Sequence, residues 1–188
     1  MQDMYETIEL LDAPSFINWL SLHDDTVDGI WLRIYKKGSG VASITYAEAL
    51  DVALCYGWID GLKRSYDEQS YVQKFTPRRT RSMWSKRNIE HVHRLIREGL
   101  MQPRGLKEID AAKTDGRWGI AYDGPANMQL PTSFLDELEK HPAAKLTFDS
   151  LNKSQKYSIG FQLQTARTEK TVAARQLKII GSLESGQF

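Results

Sequence analysis

Cysteine is nearly absent from this sequence. Cys55 is the only one in 188 residues, which excludes an internal disulfide and any zinc module built on paired cysteines. Histidine is sparse as well. His91 and His93 in "EHVHRL" are separated by a single residue, so a helix would turn them to different sides, whereas a helical zinc pair falls at i and i+4. With only His23 and His141 besides, no metal site is expected, and the four histidines read as surface or partly buried polar residues. An excess of charge of either sign is missing too. The 25 Lys and Arg are offset by 24 Asp and Glu, which argues against a protein that coats nucleic acid by bulk electrostatics. No apolar run approaches the length that spans a bilayer. The opening "MQDMYETIELLDAPSF" carries acids where a secretory leader has bases and an unbroken apolar stretch. The expectation is a cytoplasmic protein without membrane insertion. P-loop, dinucleotide glycine fingerprint and serine-nucleophile elbow are all absent, and no cofactor is implied.

What is present is an ordinary folding composition, 41% hydrophobic and 26% charged, in a chain long enough for one substantial core. Phe16, Trp19 and Leu20 recur at helical spacing after Ser15, a candidate N-cap, in a helix expected to end near His23. In "IWLRIYKK", Ile30, Leu32 and Ile34 alternate with Trp31, Arg33 and Tyr35, as in a strand with one aliphatic face. The glycines of "KKGSG" break it. Thr45 and Glu48 form a capping box for a helix with Ala47, Leu50, Leu54 and Trp58 along one side, and Gly57 is placed to end it in the left-handed region. "IDGLKRSYD" and "SYVQKFT" read as two strands joined around Asp67 to Ser70. From Ser85, as cap, a helix runs with Ile89, Val92 and Ile96 on one face to a stop at Gly99. "GLKEIDAAKTDG" is a further short helix and "RWGIAYDGP" a connector.

Past Pro125 the pattern is helical. Ser133 opens one helix, Pro142 suits the first turn of the next, and Ser154 and Thr171 are candidate caps for two more. "KYSIGFQLQ" fits both strand alternation and helical spacing. Its helical flanks favour helix, although Gly160 costs about 1 kcal/mol there relative to alanine. Ala173, Leu177, Ile180 and Leu183 would form one face of the last helix, paired with its predecessor. The fold class is therefore α+β: a small mixed sheet packed with helices over residues 1–125, then a helical C-terminal module over 126–188.

Two stretches concentrate chemistry, "CYGWIDGLKRSYD" and "FTPRRTRSMWSKRN". Asp60 follows a helix stop and begins a strand among apolar neighbours, where a carboxylate needs a partner such as backbone donors, Lys63 or an arginine. Arg78, Arg79 and Arg81 sit at a strand end, and Ser82 and Ser85 at a helix start whose N–H groups favour anions. Guanidinium forks and hydroxyls there suit a phosphate or carboxylate. The architectural alternative pairs Arg78 and Arg79 with Asp60, Asp67 or Glu68 and leaves Ser85 as a plain cap. Cys55, beside the apolar face of its helix and without an activating base in view, reads as a buried inert thiol. Trp31, Trp58, Trp84 and Trp118 read as packing rather than as base platforms.

The blocks "SGVASITYAEALDVALCYGWIDG", "YVQKFTPRRTRSMWSKRNIEHVHRLIREGLMQPRGL" and "SQKYSIGFQLQTARTEKTVAARQ" resemble the bacterial YdeI/OmpD-associated, or bacteriocin-protection, family. "CYGWIDG" and "FTPRR…WSKRN" are the specific part, with Thr80 and Met83 as departures inside the second. The resemblance implies a link to envelope stress or antimicrobial-peptide resistance, without an agreed biochemical activity. The preferred reading is a non-catalytic binding protein with a basic cleft for a small anionic ligand, lined by Trp58, Asp60, Lys63, Arg78, Arg79, Ser82, Trp84, Ser85 and Asn88. A protein partner is compatible with it. The alternatives are an enzyme on a small anionic substrate, with Asp60 as acid or base and the arginines stabilising charge, and a nucleic-acid-binding protein, which the balanced charge disfavours.

Overall fold

The computed structural model describes residues 5–187; Met1 to Met4, part of the stretch read above for a leader, lie outside them, as does Phe188. The described residues form eight helices and a four-stranded mixed sheet, an α+β fold that ends in helices. The chain divides into two compact units. One comprises the residues up to Ser82 together with Glu90–Thr114, and the other Met83–Ile89 together with the residues from Asp115 onward.

The first unit holds the sheet. Strands β1 (Thr7–Glu9), β2 (Ile30–Tyr35), β3 (Trp58–Ser65) and β4 (Ser70–Pro77) lie in the order β1-β2-β4-β3, with β1 parallel to β2 and the other pairs antiparallel. The aliphatic alternation of β2 is used as expected, since Ile30, Leu32 and Ile34 are buried. Helices α1 (Ala13–His23) and α2 (Tyr46–Cys55) supply Phe16, Leu20, Leu50 and Leu54 to the same core. Phe16 meets Phe75 edge-on at 5.8 Å, and Trp19 meets Trp58 edge-on at 6.0 Å. The other sheet face is shielded by cations lying on rings. Arg64 sits over the ring of Trp31 at 4.6 Å and Lys74 over Tyr5 at 4.1 Å, and Trp31 is buried.

Several local readings need correction. The cap of α1 is Asp12, which accepts from the Ser15 N–H and hydroxyl, so Ser15 is the capped residue and not the cap. The capping box of Thr45 and Glu48 is present, and Gly57 takes the left-handed conformation after α2, with φ 73°. The buried face of α2 includes Ala49, Leu50 and Ala53 instead of Ala47, and Trp58 belongs to β3. Helix α3 (Lys86–Arg97) buries Asn88, Val92 and Leu95, while Ile96 is exposed. It ends before Gly99, which also has positive φ. Helix α4 (Pro103–Thr114) starts earlier than "GLKEID", because proline fits a first turn.

The second unit contains α5 (Thr132–Leu138), α6 (Pro142–Ser150), α7 (Lys153–Gln164) and α8 (Glu169–Glu184). "KYSIGFQLQ" is helical, as its flanks suggested. The caps of α7 and α8 are Asn152, in a capping box with Gln155, and Thr168, not Ser154 and Thr171. The core joins Phe134, Leu138, Ala144, Phe148, Ile159, Leu163, Ile179, Ile180 and Leu183. Of the face expected for α8, Ile180 and Leu183 are buried, whereas Ala173 and Leu177 are exposed and Ile179 is buried in addition. Among the described residues no helix is long and apolar enough to cross a membrane.

Candidate functional site

The most built polar feature of the first unit lies at the end of the sheet beside the start of α2. The pairing of β3 with β4 slips by one residue: Asp60 stands opposite Phe75, and Lys63 opposite Gln73. Residues directly opposite share a face, so this bulge turns both Asp60 and Lys63 to the face of Phe75 and Gln73. In a regular strand Leu62 would take the place of Lys63; here Leu62 is exposed. Gln73 holds the bulge by donating from Nε2 to the carbonyls of Gly61, at 2.9 Å, and Leu62, at 3.3 Å. This contact accounts for a buried amide in the middle of a strand.

Asp60 has its partner in Tyr46, whose hydroxyl donates to Oδ2 at 2.8 Å. The ammonium of Lys63 lies 3.9 Å from the centroid of the Tyr71 ring. Tyr46 and Tyr71 both line a cleft of about 710 Å³, whose remaining wall runs from Ile34 and Tyr35 through Lys36, Lys37 and the glycines of "KKGSG" to Thr45. Gly38 and Gly40 have φ of 92° and 78°, and both face open space. Lys36 is tied back, donating to the carbonyls of Asp67 and Glu68. Among the described residues Lys37 and Lys63 have no ion pair. Asp60 and Lys63 are among the site residues that the sequence nominates, whereas "KKGSG" reads there as a strand break and Tyr46 and Tyr71 are not nominated for the anion site. Two lysines followed by two glycines, shortly before a capped helix start, are the available signal.

The other nominated residues of this unit are placed differently. Trp58 is fully buried, and its Nε1 has no hydrogen-bond partner among the described residues. Arg78 is buried just after β4, whose Pro77 stands opposite Trp58, and its backbone N–H donates to the Gly57 carbonyl at 2.9 Å. Arg79 is exposed, and its carbonyl accepts from the Ser82 N–H in a turn at 2.8 Å. Asp67, one of the carboxylates considered for these arginines, holds Arg33 at 2.5 Å. Hydrogen bonds from the Ser70 hydroxyl and the Gln69 and Ser70 amides keep its carboxyl below the usual range.

Trp84, Ser85 and Asn88 belong to the second unit and are buried there. Trp84 packs on Trp118 with ring centroids 5.0 Å apart. Ser85 caps α3 as expected, its Oγ accepting from the Asn88 N–H at 3.1 Å. The Lys86 N–H donates to the Tyr122 carbonyl at 2.9 Å, and the Lys86 ammonium pairs with Asp123 at 2.7 Å. These donors at the start of α3 are therefore engaged within the unit. Asp123 is held low by the Lys86 ammonium and by Gln164, whose Nε2 donates to it at 2.7 Å.

Cys55 ends α2 as a buried thiol. Burial pushes its pKa up to about 11, so it is protonated at neutral pH and a poor nucleophile. His91 donates from Nδ1 to Asp51 at 2.7 Å, and His141 meets Glu184 at 2.8 Å.

Residues 8–108 match the family model described as a domain of unknown function (DUF8412), and residues 127–186 match the one described as bacteriocin-protection, YdeI or OmpD-associated. The blocks "CYGWIDG" and "FTPRR…WSKRN" fall under the first model, and the helices α5 to α8 under the second. Neither a curated protein nor a solved structure matches the chain.

Proposed function

The chain belongs, over more than half its length, to the DUF8412 domain family and matches over residues 127–186 the family model described as bacteriocin-protection, YdeI or OmpD-associated, and from that premise we propose that it is a non-catalytic cytoplasmic binding protein for a small anionic ligand, acting in envelope-stress or antimicrobial-peptide resistance. What supports the reading is the cleft beside the start of α2. The bulge in β3 directs Lys63 onto Tyr71 at its edge, and Lys37 stands on a glycine-flanked wall, both without a carboxylate partner among the described residues. Lysines on a loop of permissive backbone suit a phosphate or carboxylate as point charges. Arg79, exposed on the turn after β4, is the further candidate from the basic segment.

The test is a thermal-shift and calorimetric titration with inorganic phosphate, nucleoside monophosphates and citrate. A ligand at about a hundredfold excess over its Kd adds about 2.7 kcal/mol of apparent stability. Binding is expected in the unaltered protein and lost in the Lys37→Ala/Lys63→Ala variant at an unchanged ligand-free Tm. Equal binding by both proteins would remove the cleft from consideration, and no binding by either would remove the anionic ligand.

One observation favours a second reading. A phenol donating to a carboxylate, as Tyr46 does to Asp60, is a pair through which a proton is passed in general acid–base catalysis. Turnover of an anionic substrate that disappears in Asp60→Asn would establish an enzyme, and full turnover in that variant would exclude this role for Asp60.

A further inference from the structure

A second cleft in the first unit has the opposite character. It encloses about 310 Å³ between α1, α2 and the end of α3, and shares no lining residue with the cleft at the start of α2. Its wall is built from Ala13 and Ile17 of α1, Val52 and Cys55 of α2, Leu95 of α3 and Leu100 just after it. Val52, Cys55 and Leu95 are buried at its base, while Ile17 and Leu100 stand 44% and 50% exposed at its rim. Large aliphatic side chains left half in water around a concavity of this size mark a ligand site more often than a stray surface leucine does.

The charged groups in that wall are already committed. Asp51 takes His91 on one oxygen, at 2.7 Å, and Arg94 on the other, at 2.5 Å; Arg94 also reaches Glu98 at 2.9 Å. Glu48 is occupied with the N–H and hydroxyl of Thr45 in the capping box. A charged ligand would have to break one of these pairs and give up part of the hydration of its own charge, which disfavours it. The other polar side chains of the wall are neutral: Gln102, whose Nε2 donates to the Leu100 carbonyl at 3.2 Å, and the Cys55 thiol and Tyr56 phenol, whose pKa values burial raises. The cleft thus offers an apolar wall with neutral donors and no available charge.

We propose that this cleft binds a neutral, largely apolar small molecule, about the size of a bicyclic aromatic or a medium-length alkyl chain, carrying at most one hydrogen-bonding group. The site is independent of the anionic one, and either reading stands without the other.

The experiment uses the full chain and N-phenyl-1-naphthylamine, an uncharged probe whose emission rises in apolar surroundings. Saturable enhancement with one probe per chain is expected. With 13C-methyl-labelled protein, the bound probe should show intermolecular NOEs to the methyls of Ile17, Val52, Leu95 and Leu100. The variant Ile17→Glu/Leu100→Glu, altered only at half-exposed positions, should bind at least tenfold more weakly. Absence of saturable enhancement would overturn the proposal. So would NOEs to methyls elsewhere, or a stoichiometry of one probe per two chains, which would assign the aliphatic rim to contact between copies. The NOE pattern decides the question in the unaltered protein even if the double variant fails to fold.

Discussion

Gly105 shows how much a single missing side chain sets at the residue scale. It is the third residue of α4, and a Cβ built there would lie 2.2 Å from the Cys55 carbonyl oxygen and 2.9 Å from its carbon. The same carbonyl accepts from the Gln102 N–H at 3.1 Å. The first turn of α4 therefore rests on the last carbonyl of α2, and only glycine permits that approach. Alanine would gain about 1 kcal/mol of helix propensity. It would also press into backbone, which yields far less than a side-chain end, and overpacking of this kind costs about 1–3 kcal/mol. The clash wins. Gly105→Ala is expected to lower Tm by several degrees, at about 2–4 °C per kcal/mol for a chain of this size. Gly99→Ala, strained only by its φ of 69° with open space around it, should lose less. A differential scanning comparison of the two checks the order, and equal losses would show that the close approach relaxes freely. Nothing in "QPRGLKEI" announces this contact, because the partner lies fifty residues earlier in the chain. The opposite holds for Gly57, which ends a helix within its own local pattern and was legible.

Elements were legible where one local rule decided them, and misread where two neighbouring residues could satisfy it equally. Thr45 and Glu48 satisfy each other, so the start of α2 could be read directly. At α1, α7 and α8 a second oxygen-bearing residue follows a few positions after the true cap, and the later one was chosen: Ser15 for Asp12, Ser154 for Asn152, Thr171 for Thr168. Helix faces slipped in the same way. Leu95 and Ile96 are adjacent aliphatics in α3, of which Leu95 is buried, and in α8 Ile179 and Ile180 are both buried while Leu177 is exposed; which of them turn inward depends on packing partners remote in sequence. In the candidate site, Asp60 and Lys63 were legible as charges next to a helix stop. The bulge that puts them on one face was not, because it is held by Gln73 of another strand.

At this scale a titratable link joins the turn before α6 to the end of α8: His141 meets Glu184 at 2.8 Å and Glu137 at 3.5 Å. These carboxylates, Glu184 foremost, raise the imidazole pKa above its ordinary 6.5. A raised folded-state value means that the contribution to stability is fully present below the unfolded value and is lost as pH rises through the folded one. His141→Gln should therefore lower Tm most on the acid side of 6.5, with the difference from the unaltered protein shrinking toward alkaline pH. A difference independent of pH would mean that the ring acts by packing alone.

For the whole molecule, the two compact units divide the fold more unevenly than the chain order implies, because Met83–Ile89 belongs with the residues from Asp115 onward while Glu90–Thr114 belongs with the sheet. Each unit has its own apolar core. In the second, Phe134 is fully buried and meets Phe148 edge-on at 6.1 Å within a cluster drawn from α5 to α8. Truncating such a ring removes about 3–5 kcal/mol, a large share of what holds a domain together. Since opening free energies differ among contiguous cooperative parts of a protein, the loss should be local. Phe134→Ala is expected to raise amide exchange across α5 to α8 while β2 and β4 keep their protection, measured peptide by peptide. Uniform loss of protection through β2 and β4 would show instead that the two cores open together. The first unit, which carries both clefts, would then owe its stability to the C-terminal helices, and substitutions in those helices would affect ligand binding without touching a ligand.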